Sequence, residues 1–103
     1  MTDQLSDASQ TVINNAARPL YPLAKKFTMF RAKDEGYTMA RLIMRNEATR
    51  FAVAVGERLD AGKTLPPSWV ERKLRTKKMN GSTMSDLVHD WCRALVAEIK
   101  KAA

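Results

Sequence analysis

The most regular hydrophobic pattern lies near the C-terminal end, where Met84, Leu87, Val88, Trp91, Cys92, Leu95, Val96 and Ile99 recur at i, i+3, i+4 and i+7. That period is one face of an α-helix about five turns long. Asp86, Asp90, Glu98, Lys100 and Lys101 take the other face, acids early and bases late, as the helix dipole favours. An Asn80-Gly81 turn precedes this helix, and Thr83 with Asp86 has the spacing of a capping box at its start.

Weaker stripes precede it. Leu23, Phe27 and Phe30 fall on one helical face after Pro22, while Lys25, Lys26, Arg31 and Lys33 lie off it, and Gly36 predicts the end of this helix. A long helix follows over 38–62, with Ala40, Met44, Ala48, Phe51, Ala52, Val55 and Leu59 as its stripe. Leu42, Ile43 and Val53 fall outside that stripe, which predicts neighbours on two sides. Asn46 followed by Glu47 could cap a second piece, so a break there is an open alternative. Gly62 stops the helix and Pro66-Pro67 starts a short one through Lys78, which buries Trp69 or Val70 together with Leu74.

Residues 1–17 read differently. They are rich in Ser, Thr, Asn, Gln and Asp, with Leu5, Val12 and Ile13 as the large apolar residues. The expectation is a flexible N-terminal arm carrying at most a transient turn near Ser9 to Ala17, followed by a single helical domain over 18–103. No strand pattern or repeat occurs, so the predicted fold is all-α, a small bundle of about four helices.

Composition narrows the class. A chain of 103 residues with 45% hydrophobic and 28% charged residues is the size and type of one globular domain. No apolar run approaches the roughly 18 to 20 residues that span a bilayer, and the start lacks a secretory pattern. With the single cysteine, Cys92, unable to form an internal disulfide, a cytoplasmic protein that does not enter membranes is expected.

The charge is unevenly spread. Residues 1–17 carry two acids and no base, 18–50 carry eight bases and three acids, and 51–103 carry ten and six, for a total of +7. Such a field draws in polyanions, whether nucleic acid, an acidic protein or an anionic membrane surface, and does not distinguish among them.

Catalytic chemistry is thin. His89 and Cys92 are the sole histidine and thiol, at i and i+3, but Cys92 belongs to the apolar stripe and His89 to its polar edge, which reads as a structural thiol beside a surface imidazole. Asp86, His89, Asp90 and Cys92 lie on different faces and make no metal set. Gly62-Lys63-Thr64 lacks the upstream glycine of a phosphate-binding loop. No catalytic residue, metal or cofactor is expected, and the chain reads as a non-enzyme.

The basic cluster Arg72, Lys73, Arg75, Lys77 and Lys78 has no acid within it, more than helix C-capping requires. Short helix, turn and long helix outline a helix-turn-helix, yet the first turns of the last helix offer Thr83, Ser85, Asp86, His89 and Asp90, a poor set for reading bases. Phosphate-backbone contacts from 72–78, joined by Arg41, Arg45 and Lys25, are therefore the expected mode of nucleic-acid binding, with little sequence specificity.

The alternative is a small protein-binding modulator or inhibitor, in the style of phage and plasmid accessory proteins, docking on a larger enzyme, which could be one that handles nucleic acid. Trp69 would be its exposed anchor, and Met29, Met39, Met44, Met79 and Met84 could add an adaptable surface, although core filling explains methionines as well. The strong terminal stripe would serve a monomer core or a homodimer.

Overall fold

The computed structural model describes residues 5–75 and 85–102, the side chains of 85 and 86 excepted. The described residues form helices α1 (Asp7–Ala17), α2 (Tyr21–Glu35), α3 (Tyr37–Asp60), α4 (Pro67–Arg75) and α5 (Ser85–Ala102), with a 3-10 turn at Arg18–Leu20, and they include no strand. The all-α expectation holds. The Asn80-Gly81 turn, Lys77, Lys78, Met79 and the Thr83–Asp86 capping box lie outside the described residues or side chains.

Helix α5 is the centre of the bundle, as its stripe predicts. Val88, Trp91, Cys92, Leu95, Val96 and Ile99 are buried, and α1, α2 and α3 all pack against it. Helix α4 joins through Trp69, Val70 and Leu74, all buried, and through a bidentate ion pair in which Arg93 on α5 donates from Nε and Nη2 to the Glu71 carboxylate at 2.8 and 2.9 Å. That pair holds the Glu71 carboxyl below its ordinary range, chiefly through the Arg93 hydrogen bond.

The largest departure from expectation is at the N-terminus. Instead of a flexible arm, residues 7–17 form a docked helix, with Ser9, Ile13 and Ala16 buried at i, i+4 and i+7. Two of those three are small or polar, so the face is nearly invisible as a hydrophobic stripe. Small residues nonetheless let α1 approach α3 closely. A β-carbon added at Gly56 of α3 would run into the Leu5 side chain and come within 3.1 Å of Ile13 Cδ1. Ser6 supplies the N-cap, its hydroxyl accepting from the Ser9 N–H at 3.1 Å. After Ala17, Pro19 and Pro22 interrupt the α-helical ladder, and the 3-10 turn leads into α2.

Helix α3 is continuous through Asn46, so the alternative of a break is not realised. Asn46 is exposed and lies within the helix. Its C-terminus is a Schellman motif: Lys63 N–H donates to the Arg58 carbonyl at 2.9 Å and Gly62 N–H to the Leu59 carbonyl at 3.0 Å, with Gly62 at φ +73°. This accounts for the glycine of Gly62-Lys63-Thr64 without a phosphate. Gly36, at φ +87°, makes the one-residue joint between α2 and α3. The pair shares the most extensive contact between any two elements.

The α2 stripe ends early, with Phe30 53% exposed. The α3 stripe is covered throughout, but of the three residues that predict neighbours on a second side, Leu42 and Val53 are exposed and only Ile43 is half-buried. No described helix is long and apolar enough to cross a membrane.

Candidate nucleic-acid interface

The open side of α3 follows from how α1 crosses it. Near its C-terminal end α3 is covered at Gly56 by α1, but earlier positions on the same side, among them Arg45, Thr49 and Val53, remain exposed. At 100° per residue this bare face collects Thr38, Arg41, Leu42, Arg45, Asn46, Thr49 and Val53, with no acid among them.

Beside it, α2 contributes Tyr21, Ala24, Lys25 and Thr28, and the two helices enclose an open cleft of about 770 Å³. Lys25, Arg41 and Arg45 line it together, and among the described residues no carboxylate does. Buried Met44 and Trp91 reach it from the core. Tyr21 and Tyr37, each the first residue of its helix, flank the bases and are 68% and 55% exposed. The Arg41 guanidinium sits 5.8 Å from the Tyr37 ring centroid, a cation–π arrangement. Arg45 also lines a shallower recess with Asn46, Thr49, Arg50 and Val53, which extends the basic surface along α3.

The expected basic residues thus divide into two groups. Lys25, Arg41 and Arg45 converge. Arg72, Lys73 and Arg75 are exposed on α4 but do not line the α2–α3 cleft. Lys73 instead lines a small recess with Arg58, Lys63, Trp69 and Glu57, where a carboxylate is also present.

Trp69, expected as an exposed partner anchor if the chain docks on a protein, is 8% exposed. Its ring packs against Phe51 at 6.2 Å, and the Arg58 guanidinium lies 4.9 Å over it while donating from Nε to the Thr64 carbonyl at 2.7 Å. It staples α4 and the preceding loop to α3. Cys92 is buried, as expected, while His89, expected at the surface, is half-buried at the core edge. No group of three or more His, Cys, Asp or Glu among the described residues is placed to hold a metal ion.

Sequence reasoning missed Tyr21, Tyr37 and Arg50. The available signal was that both tyrosines stand off the apolar stripes at helix starts, where a core role is least expected.

No protein-family model matches the chain, and no curated protein or solved structure is significantly similar to it.

Proposed function

We propose that this chain is a non-enzymatic nucleic-acid-associated protein that makes mainly phosphate-backbone contacts, through the cleft between α2 and α3. The observation that carries the reading is the convergence of Lys25, Arg41 and Arg45 on one open cleft, with no carboxylate lining it among the described residues, in a chain with net charge +7. Cations gathered in this way from two helices favour a polyanion, and release of its counterions supplies the driving force. The exposed bases of α4 extend the field without belonging to the cleft. A cytoplasmic setting goes with this reading, since a single buried thiol needs no oxidising compartment.

The test is fluorescence-anisotropy binding across a salt series, with Lys25→Glu/Arg41→Glu/Arg45→Glu compared with Arg72→Glu/Arg75→Glu. The reading expects log affinity to fall with log salt by roughly 0.7 to 0.9 per phosphate contacted. It also expects the cleft variant to lose most binding and the α4 variant to lose less. Absence of binding at low salt overturns it.

A second reading, a helical modulator that docks on a protein, is favoured by exposed Met29, Phe30 and Met39 on either side of the Gly36 joint. It predicts a partner whose affinity responds weakly to salt and drops with Phe30→Ser.

A further inference from the structure

Resting on the nucleic-acid reading above, we infer that the α2–α3 cleft takes single-stranded nucleic acid, with Tyr21 and Tyr37 as stacking platforms for bases and Lys25, Arg41 and Arg45 on the phosphates. Burial places neither tyrosine, although Tyr37 carries the Arg41 guanidinium over its ring. Each begins a helix, each is more than half exposed, and both line the one cleft that also gathers the three bases. A phenol ring left in water beside guanidinium and ammonium groups offers a π-face next to a phosphate site. This is the composition of surfaces that bind unpaired strands, where stacking is indifferent to sequence.

The exposed rings select strand state. Tyr21 and Tyr37 stand at the two ends of the groove over the α2–α3 seam, where the bases of an unpaired strand can lie on them. A duplex keeps its base faces stacked internally and would offer its phosphates and groove edges, leaving both tyrosines and Leu42, itself 46% exposed, with no base face to stack on.

The α3 wall runs from Tyr37 to Ala48, roughly 16 Å at 1.5 Å per residue. At about 3.4 Å per stacked base that holds roughly five nucleotides. Arg41, already over the Tyr37 ring, can extend the stack with its guanidinium plane. The cleft-lining polar side chains besides the three cations are tyrosine and threonine hydroxyls and the Trp91 indole, and among the described residues no carboxamide lines it to read a base edge. Sequence preference is accordingly weak.

The test uses the full chain and fluorescein-labelled dodecamers of thymidylate and of uridylate, with a hairpin duplex as competitor, read by anisotropy. Variants are Tyr21→Ala/Tyr37→Ala and Tyr21→Phe/Tyr37→Phe, with far-UV circular dichroism to verify the fold. The inference expects the single strands to bind about tenfold or more tighter than the duplex. It expects the alanine pair to lose about tenfold or more, the phenylalanine pair to retain affinity within about twofold, and the salt slope to be the same in all three. The thymidylate and uridylate arms report which sugar is preferred.

Equal or tighter binding of the duplex, or an alanine pair that binds like wild type, overturns the inference. If binding remains salt-steep and is lost in Arg41→Glu/Arg45→Glu while the tyrosines are silent, the single-strand assignment alone fails. If no nucleic acid binds at low salt, the underlying reading fails with it.

Discussion

Asp60, the last residue of α3, accepts hydrogen bonds from the backbone N–H of Ser6 at 3.0 Å and from the Ser6 hydroxyl at 2.6 Å, fastening the start of α1 to the end of α3. The Ser9 hydroxyl donates to the same carboxylate. Ser6 is simultaneously the N-cap of α1, so a single side chain both starts the helix and ties it down. Ser6→Ala is predicted to destabilise the chain by about 1 kcal/mol, measured by urea unfolding, with the earliest loss of amide protection in α1.

The same contact has a pH signature. The Ser6 hydroxyl bond first, then those from the Ser9 hydroxyl and the Ser6 N–H, hold the Asp60 carboxyl below its ordinary value of 3.8. A depressed folded value means the contact stabilises fully above the unfolded carboxyl pKa and is lost as pH falls through the lower folded one. Hydrogen exchange between about pH 5 and pH 2 should therefore show α1 loosening before α5. Asp60→Asn should remove the pH dependence by leaving α1 weakly held throughout.

Gly56 sets the distance between α1 and α3. Gly56→Ala gains up to about 1 kcal/mol of helix propensity but must displace Leu5 and crowd Ile13, so its net effect is small. Gly56→Leu cannot be accommodated without moving α1. The expected result is loss of α1 protection in hydrogen exchange with the α2, α3 and α5 helices retained.

Trp69 is a structural residue in this fold. Trp69→Ala removes a buried ring packed on Phe51 and under Arg58, and is predicted to cost about 3–5 kcal/mol in urea unfolding. Trp69→Phe should recover part of that. A Trp69→Ala protein that keeps wild-type stability would contradict the burial.

What was legible in the sequence tracks how each face is built. Helix α5 buries a single continuous stripe of large apolar residues, so its periodicity alone locates it. Helix α1 docks through Ser9, Ile13 and Ala16, and its anchor is a carboxylate more than fifty residues away, which no local pattern reveals. Asn46 has a capping side chain, yet it is exposed within a long helix whose neighbouring stripe residues Met44 and Phe51 are buried. Packing of that stripe overrides the local preference. Phe30 follows the period of α2 but is left uncovered, since periodicity states which side a residue lies on and not where the neighbouring helix ends.

The site behaves in the same way. Lys25, Arg41 and Arg45 are individually recognisable as bases off the core faces. That they share one cleft, apart from Arg72, Lys73 and Arg75, depends on how α2 packs against α3. The tyrosines at the helix starts acquire meaning only once that cleft exists.

Titrating ¹⁵N-labelled protein with an unlabelled thymidylate dodecamer at low salt, and following amide shifts residue by residue, reads the binding face of the molecule itself. Progressive shifts are expected over 21–28 and 37–48, with the amides of α4 nearly unmoved. Shifts confined to 72–75, or a spectrum unchanged at saturating oligonucleotide, would contradict binding in the α2–α3 cleft.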